Sequence, residues 1–154
     1  MSGTRNSPTV STEEVPSARR NGLRPRVLVV DDESAIADSL AKILCLSGFP
    51  AIAAYDGNSA LETALLKPPE LLITDVVLPG MNGVELAITV KRVFPDCKIL
   101  LFSGQASTGD LLATAHRDGH RFTLLNKPVP PQELLTMVAE NLNGIRVGHP
   151  ATVA

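Results

Sequence analysis

Five polar residues stand where short apolar runs end, and their types could bind a divalent metal and a phosphoryl group. They are Asp31, Asp32, Asp75, Ser103 and Lys127. The runs span residues 27–30, 71–74, 99–102 and 122–125. If these runs are neighbouring parallel strands, their carboxyl ends meet at one edge of the sheet, where ligands bind in such folds. Three carboxylates, a hydroxyl and an ammonium would then lie together.

The chemistry of such a cluster follows from its charges. Carboxylates about 4 Å apart repel by about 4 kcal/mol per pair at an effective dielectric of about 20, so an empty site would be strained or partly protonated, and a cation would relieve the repulsion. Mg²⁺ suits ligands that are all oxygen, and the cluster has no histidine or cysteine for zinc. Asp75 stands alone at its strand end and is ionised at neutral pH, so we expect it to be the nucleophile of an aspartyl phosphate. Ser103 and Lys127 would donate to the phosphoryl oxygens.

Helices must alternate with the strands to hold these residues in place. Five segments have helical spacing or helix-ending residues. The first is a stripe of Ile36, Leu40, Ile43 and Leu44 that ends at Gly48. The second starts at 56–59, contains Leu61, Ala64 and Leu65 and stops at Pro68. The other three are the ranges 83–94 and 108–118 and a helix that begins at 130–131. With residues 51–55 as an edge strand, five βα units predict a parallel sheet covered by helices on both faces.

Length and composition favour one folded domain. The chain has 154 residues, 44% of them apolar, and a net charge of −2. We expect a disordered leader at 1–25, a folded domain at 26–143 and a short flexible tail at 144–154. The small charge predicts no direct binding to nucleic acid, and no apolar run is long enough for membrane insertion. We expect a reducing cytoplasm, with Cys45 and Cys97 as inert, partly buried thiols.

Four motifs together resemble the receiver domain of two-component response regulators. They are Val-Leu-Val-Val-Asp-Asp-Glu at 27–33, Asp-Val-Val-Leu-Pro-Gly-Met-Asn-Gly-Val-Glu-Leu at 75–86, Phe-Ser-Gly at 102–104 and Asn-Lys-Pro-Val at 126–129. Each is weak alone, but all four in this order are specific. The resemblance covers about 26–143 and implies a flavodoxin-like doubly wound (βα)5 fold, with a five-stranded parallel sheet in the order 2-1-3-4-5.

The resemblance also implies a role for each residue of the cluster. Asp75 would accept a phosphoryl group from a sensor histidine kinase or a histidine phosphotransfer protein. Mg²⁺ would be held by Asp32, Asp75 and the backbone carbonyl of Val77, and by Asp31 either directly or through water. The switch hydroxyl and the phosphate-binding lysine would be Ser103 and Lys127, with a cis peptide bond before Pro128.

We expect no output domain, because no helix-turn-helix pattern, second α/β unit or basic recognition segment follows the last helix. We therefore expect a stand-alone receiver that acts in a phosphorelay through contacts with a downstream protein. It would be a signalling domain that phosphorylates and dephosphorylates itself, and not a turnover enzyme.

One position departs from the family pattern and keeps other readings open. Receivers usually have an aromatic residue three positions before the lysine, where this chain has Leu124; Phe122 lies on the same side of the strand. A phosphorylation-independent adaptor with the receiver fold is therefore a second reading. A metal-dependent phosphatase of the haloacid dehalogenase type is a third, although it needs Asp-x-Asp, and Glu33 stands at the third position. The acidic residues 31–33 could also simply cap the first helix.

Overall fold

The computed structural model describes residues 26–104, 109–117, 119–120 and 122–143. The predictions of a disordered leader at 1–25 and a flexible tail at 144–154 lie outside these residues.

Five parallel strands form one sheet. They are β1 (Val27–Val30), β2 (Ala51–Ala54), β3 (Leu71–Asp75), β4 (Lys98–Ser103) and β5 (Thr123–Asn126). Their order is β2-β1-β3-β4-β5, as predicted. Strands β3, β4 and β5 extend past the apolar runs to include Asp75, Ser103 and Asn126, because backbone pairing continues there: Asp75 is in register with Phe102, and Ser103 with Asn126.

Five helices connect and cover the strands. They are α1 (Ser34–Leu46), α2 (Gly57–Leu66), α3 (Gly83–Val93), α4 (Gly109–Arg117) and α5 (Pro131–Asn143). Gly48 follows α1 with φ of 96°, a conformation that favours glycine at helix ends. Asp56 caps α2 by accepting a hydrogen bond from the Ser59 amide, at 2.7 Å. The predicted ends of α4, at 108 and 118, lie outside the described residues.

The sheet separates two apolar cores. Leu28 and Val30 face the core formed with α2, α3 and α4, whereas Val27 and Val29 face the core formed with α1 and α5. Successive side chains of a strand point to opposite faces, so a continuously apolar strand suits a sheet that is covered on both sides. Within the described ranges, none of the helices is both long enough and apolar enough to cross a membrane.

Two sequence predictions about burial were wrong. Leu65, assigned to the apolar face of α2, is 54% exposed, because Ala60 and Ala64 form the buried face of that helix. Cys45, expected to be partly buried, is exposed on α1, while Cys97 is buried. Helical spacing defines a stripe of residues, but the packing of the helix decides which edge of the stripe is covered.

Candidate functional site

The three carboxylates meet where the strand order reverses. Asp31 and Asp32 follow β1, Asp75 ends the adjacent β3, and one oxygen from each lies within 4.8 Å of the others. Asp31 and Asp75 are buried, whereas Asp32 is exposed. One member of the cluster therefore faces solvent, and the other two are held by the fold.

Lys127, which follows the edge strand β5, joins two of the carboxylates. Its Nζ donates to Asp31 Oδ2 at 2.9 Å and to Asp75 Oδ2 at 3.1 Å. Partial burial of the ammonium lowers its pKa, but the hydrogen bonds to Asp31 and Asp75 and the Coulombic attraction outweigh burial. The pKa of Lys127 therefore lies above its ordinary value. The lysine is charged at neutral pH and offsets part of the negative charge.

Backbone amides orient the same two carboxylates. The Glu33 amide donates to Asp31 Oδ1 at 2.9 Å, and the Val77 amide donates to Asp75 Oδ1 at 3.3 Å. Glu33 is the N-cap residue of α1, yet its side chain makes no capping hydrogen bond. The reading of residues 31–33 as simple helix caps is therefore not supported.

Ser103 lies beside the lysine at the end of β4. It is buried, and its carbonyl accepts a hydrogen bond from the Lys127 amide at 2.9 Å. The expected cis peptide between Lys127 and Pro128 is present. The fold thus brings all five predicted polar residues to one edge of the sheet, while the contacts assign no role to the Val77 carbonyl.

The donor set fits Mg²⁺. All three acidic side chains offer oxygen atoms, and their three negative charges exceed the single positive charge of Lys127. A set of oxygen atoms suits a hard cation, and Mg²⁺ is a hard cation that commonly binds one or two carboxylates.

Sequence reasoning missed two residues that support Asp75. Thr74 is fully buried, and its hydroxyl donates to the backbone carbonyl of Asp75 at 3.0 Å. Gly83 passes so close to that carbonyl that a Cβ there would lie 1.9 Å from the oxygen. The sequence did offer a signal for each of them. Thr74 is a polar residue within an apolar strand, and Gly83 directly follows the helix-capping residue Asn82.

The position of the expected aromatic switch is filled by aliphatic packing. Leu124 is half-buried and packs on the same core as Phe122, which is 5% exposed. The two side chains lie on the same side of the strand, as predicted. His120 stacks on the Phe122 ring with 5.7 Å between the ring centroids. The Phe122 ring therefore lies between the core and a second ring.

This fold and this cluster define a class of signalling domain. The sheet order, the acidic cluster at the switch point and the lysine at the end of β5 are those implied by the receiver motifs. The family model of the response regulator receiver domain matches residues 27–139. The chain belongs to that family.

Individual relatives agree with this assignment. The DNA-binding response regulator MtrA of Mycobacterium tuberculosis is 31% identical over 120 residues, which cover 78% of this chain and 51% of that protein. The transcriptional regulatory protein PrrA of the same organism is 34% identical over 128 residues, covering 83% and 53%. The chain therefore spans about half the length of the curated relatives it matches.

One solved receiver structure matches this chain over nearly the whole of the solved protein's own length. The CheY-like response regulator receiver domain protein of Methanospirillum hungatei superposes with a TM-score of 0.70 at 30% identity, covering 78% of this chain and 94% of that one. Family and fold thus agree for the described domain.

Proposed function

We propose that this domain accepts a phosphoryl group on Asp75 from the phosphohistidine of a sensor histidine kinase or of a histidine phosphotransfer protein. The observation that carries the proposal is the ammonium of Lys127, which bridges Asp31 and Asp75 within the cluster of three carboxylates. A charged donor already stands beside the carboxylate that would receive phosphate.

The transfer step needs little beyond positioning. A carboxylate oxygen of Asp75 attacks phosphorus, the bond between phosphorus and the imidazole nitrogen breaks, and that nitrogen keeps the electron pair. The product is an acyl phosphate on Asp75. A carboxylate is itself the nucleophile in this step, so no general base is required. The Val77 amide on Asp75 Oδ1 limits rotation of the carboxylate, so the attacking atom is held in place.

Asp31, Asp32 and Asp75 would hold Mg²⁺, together with the backbone carbonyl of Val77. When bound, the metal neutralises charge on the phosphoryl oxygens. Asp32, the exposed member, is open to an ion arriving from solvent, whereas the Asp31 carboxylate is already anchored by the Glu33 amide. The cluster thus combines one accessible ligand with two that the fold has oriented.

Ser103 and Lys127 would bind the oxygens of the transferred group. Each residue lies at the end of a different strand, and the hydrogen bond from the Lys127 backbone amide to the Ser103 carbonyl fixes their spacing. When phosphate is added to Asp75, the ammonium can exchange a carboxylate contact for a phosphoryl contact. Charge-assisted hydrogen bonds of this kind are the strong ones in proteins.

Signalling would follow as a shift of population. Phosphate would favour one arrangement of the Ser103 end of β4 and of the face formed by α4, β5 and α5, and a downstream protein would bind that arrangement. The names of the two mycobacterial relatives give DNA binding for MtrA and transcriptional regulation for PrrA. For this chain we propose output through protein contacts.

Intact mass of the protein after incubation with Mg²⁺ and acetyl phosphate tests the acceptor. Wild type should gain the mass of one phosphoryl group, and Asp75→Asn should gain none. Asp96→Asn is the matched control, because Asp96 is exposed and lies before β4, at the opposite end of the sheet. A wild type without an adduct, or an adduct kept by Asp75→Asn, would refute the acceptor assignment.

The packing of Leu124 favours a second candidate, a receiver-fold adaptor that binds its partner without phosphate. A half-buried leucine has no ring to reorient, and the Phe122 ring is buried. Partner affinity measured with and without phosphate on Asp75 distinguishes the two. Equal affinities would establish the adaptor, and a phosphate-dependent difference would exclude it.

A further inference from the structure

Thr74 is a buried polar residue for which the apolar core gives no reason. Its side chain is fully buried in β3, and its neighbours in register are Val30 of β1 and Leu101 of β4. Valine has nearly the same shape and no hydroxyl to satisfy. Burying a hydroxyl is unfavourable unless the hydroxyl is hydrogen-bonded, so a hydrogen bond made by Thr74 must offset the cost of its burial.

That contact reaches the backbone of the phosphoacceptor. The Thr74 hydroxyl donates to the Asp75 carbonyl at 3.0 Å. In the part of the chain that the structure describes, the register between β1 and β3 ends at Val30 and Thr74, so Asp75 lies one residue beyond the last pair. Gly83 at the start of α3 covers the same carbonyl closely. The hydroxyl therefore supplies a donor where the β1 ladder has stopped.

The peptide groups that follow are fixed one after another. The Val76 amide donates to the Phe102 carbonyl at 2.9 Å, and the Val76 carbonyl accepts from the Gly83 amide at 2.8 Å. The next amide, that of Val77, donates to Asp75 Oδ1. Rotation of the peptide between Asp75 and Val76 would therefore move the amide that orients the carboxylate.

We propose that Thr74 is a positioning residue, whose hydroxyl holds the Asp75 carbonyl and thereby the Val77 amide that orients the Asp75 carboxylate. The effect on phosphoryl transfer rests on the proposed function, whereas the effect on the Val77 amide does not. One neutral hydrogen bond of this kind corresponds to a change of about three- to tenfold in rate.

Thr74→Val and Thr74→Ser test the proposal, with Thr89→Val as the matched control. Thr89 also donates its hydroxyl to a backbone carbonyl, that of Glu85 at 2.9 Å, but it lies within α3. For each protein, amide exchange at Val77 is measured by NMR, the phosphorylation rate with acetyl phosphate by intact mass, and the unfolding free energy in urea.

Thr74→Val should speed exchange at Val77 and slow phosphorylation by about three- to tenfold, with a modest loss of unfolding free energy because the buried Asp75 carbonyl loses its donor. Thr74→Ser should restore both, and the control should change neither. Wild-type exchange at Val77 in Thr74→Val, or a defect that serine does not rescue, would overturn the proposal, as would faster exchange spread evenly over the chain. Failure of the proposed function would appear separately, as a wild type that takes no phosphate, and the Val77 amide would still decide the role of Thr74.

Discussion

Replacing Lys127 by methionine removes the only described cation that bridges the acidic cluster and leaves the shape of the side chain nearly unchanged. Three carboxylates then share a small volume with no internal counter-charge. The folded state should lose stability, and it should recover that stability when a divalent cation takes the place of the ammonium.

The magnitude follows from the two contacts. At 2.9 and 3.1 Å, each contact corresponds to about 5.5 kcal/mol of attraction at an effective dielectric of about 20, before desolvation is subtracted. Removing one partner of a buried pair costs about 3 to 5 kcal/mol. The lysine side chain is 24% exposed, so solvent screens part of the interaction. We therefore expect a loss of about 3 kcal/mol in unfolding free energy at neutral pH.

Urea unfolding measures the effect, first in EDTA and then with saturating Mg²⁺. The deficit of Lys127→Met should be about 3 kcal/mol in EDTA and below about 1 kcal/mol with Mg²⁺, because Mg²⁺ binds only the folded state of each protein and binds the variant more tightly once the ammonium no longer competes for the carboxylates. Lys42→Met, on the exposed face of α1, removes the same charge away from the cluster and should show no such dependence on Mg²⁺.

The dependence on pH adds a second test. Since the pKa of Lys127 in the folded state lies above the ordinary 10.5, its contribution is fully present below that value and is lost as the pH rises through the folded pKa. The gap between wild type and Lys127→Met should therefore close only in strong alkali. A gap unaffected by Mg²⁺, or one that closes near neutral pH, would refute this electrostatic account.

The remaining predictions concern a glycine contact and the two thiols. Gly83→Ala should cost about 2 kcal/mol in urea unfolding and slow phosphorylation of Asp75, since its Cβ would meet the Asp75 carbonyl, whereas Gly109→Ala meets nothing within 4 Å and should be neutral or stabilising. An aromatic disulfide reagent should label Cys45 alone in the native protein and both thiols in urea, and early labelling of Cys97 would contradict its burial. Burial raises the pKa of Cys97 to about 12, so its contribution to stability is full below about pH 9 and is lost between there and about pH 12, which alkaline unfolding curves of wild type and Cys97→Ala would show.

The sequence predicted most of the fold because strand and helix patterns are local. The runs that became β1 and β3 are apolar at successive positions, which indicates strands covered on both faces, and Gly48 ends α1 where it was expected. The strand order came from the family resemblance and is confirmed. The roles of the site residues stay predictions, although the five polar side chains do meet at one edge.

Contacts between distant parts of the chain could not be predicted from local pattern and depend on the tertiary fold. Lys127 pairs with Asp31 across 96 positions and with Asp75 across 52, and periodicity cannot indicate which of three carboxylates a lysine will reach. The exposure of Leu65 depended on how α2 packs. The close approach of Gly83 to Asp75 depended on where α3 begins above β3. Local pattern determines which elements form and which face is apolar, whereas register and packing between elements decide which atoms touch, because those distances depend on the whole fold.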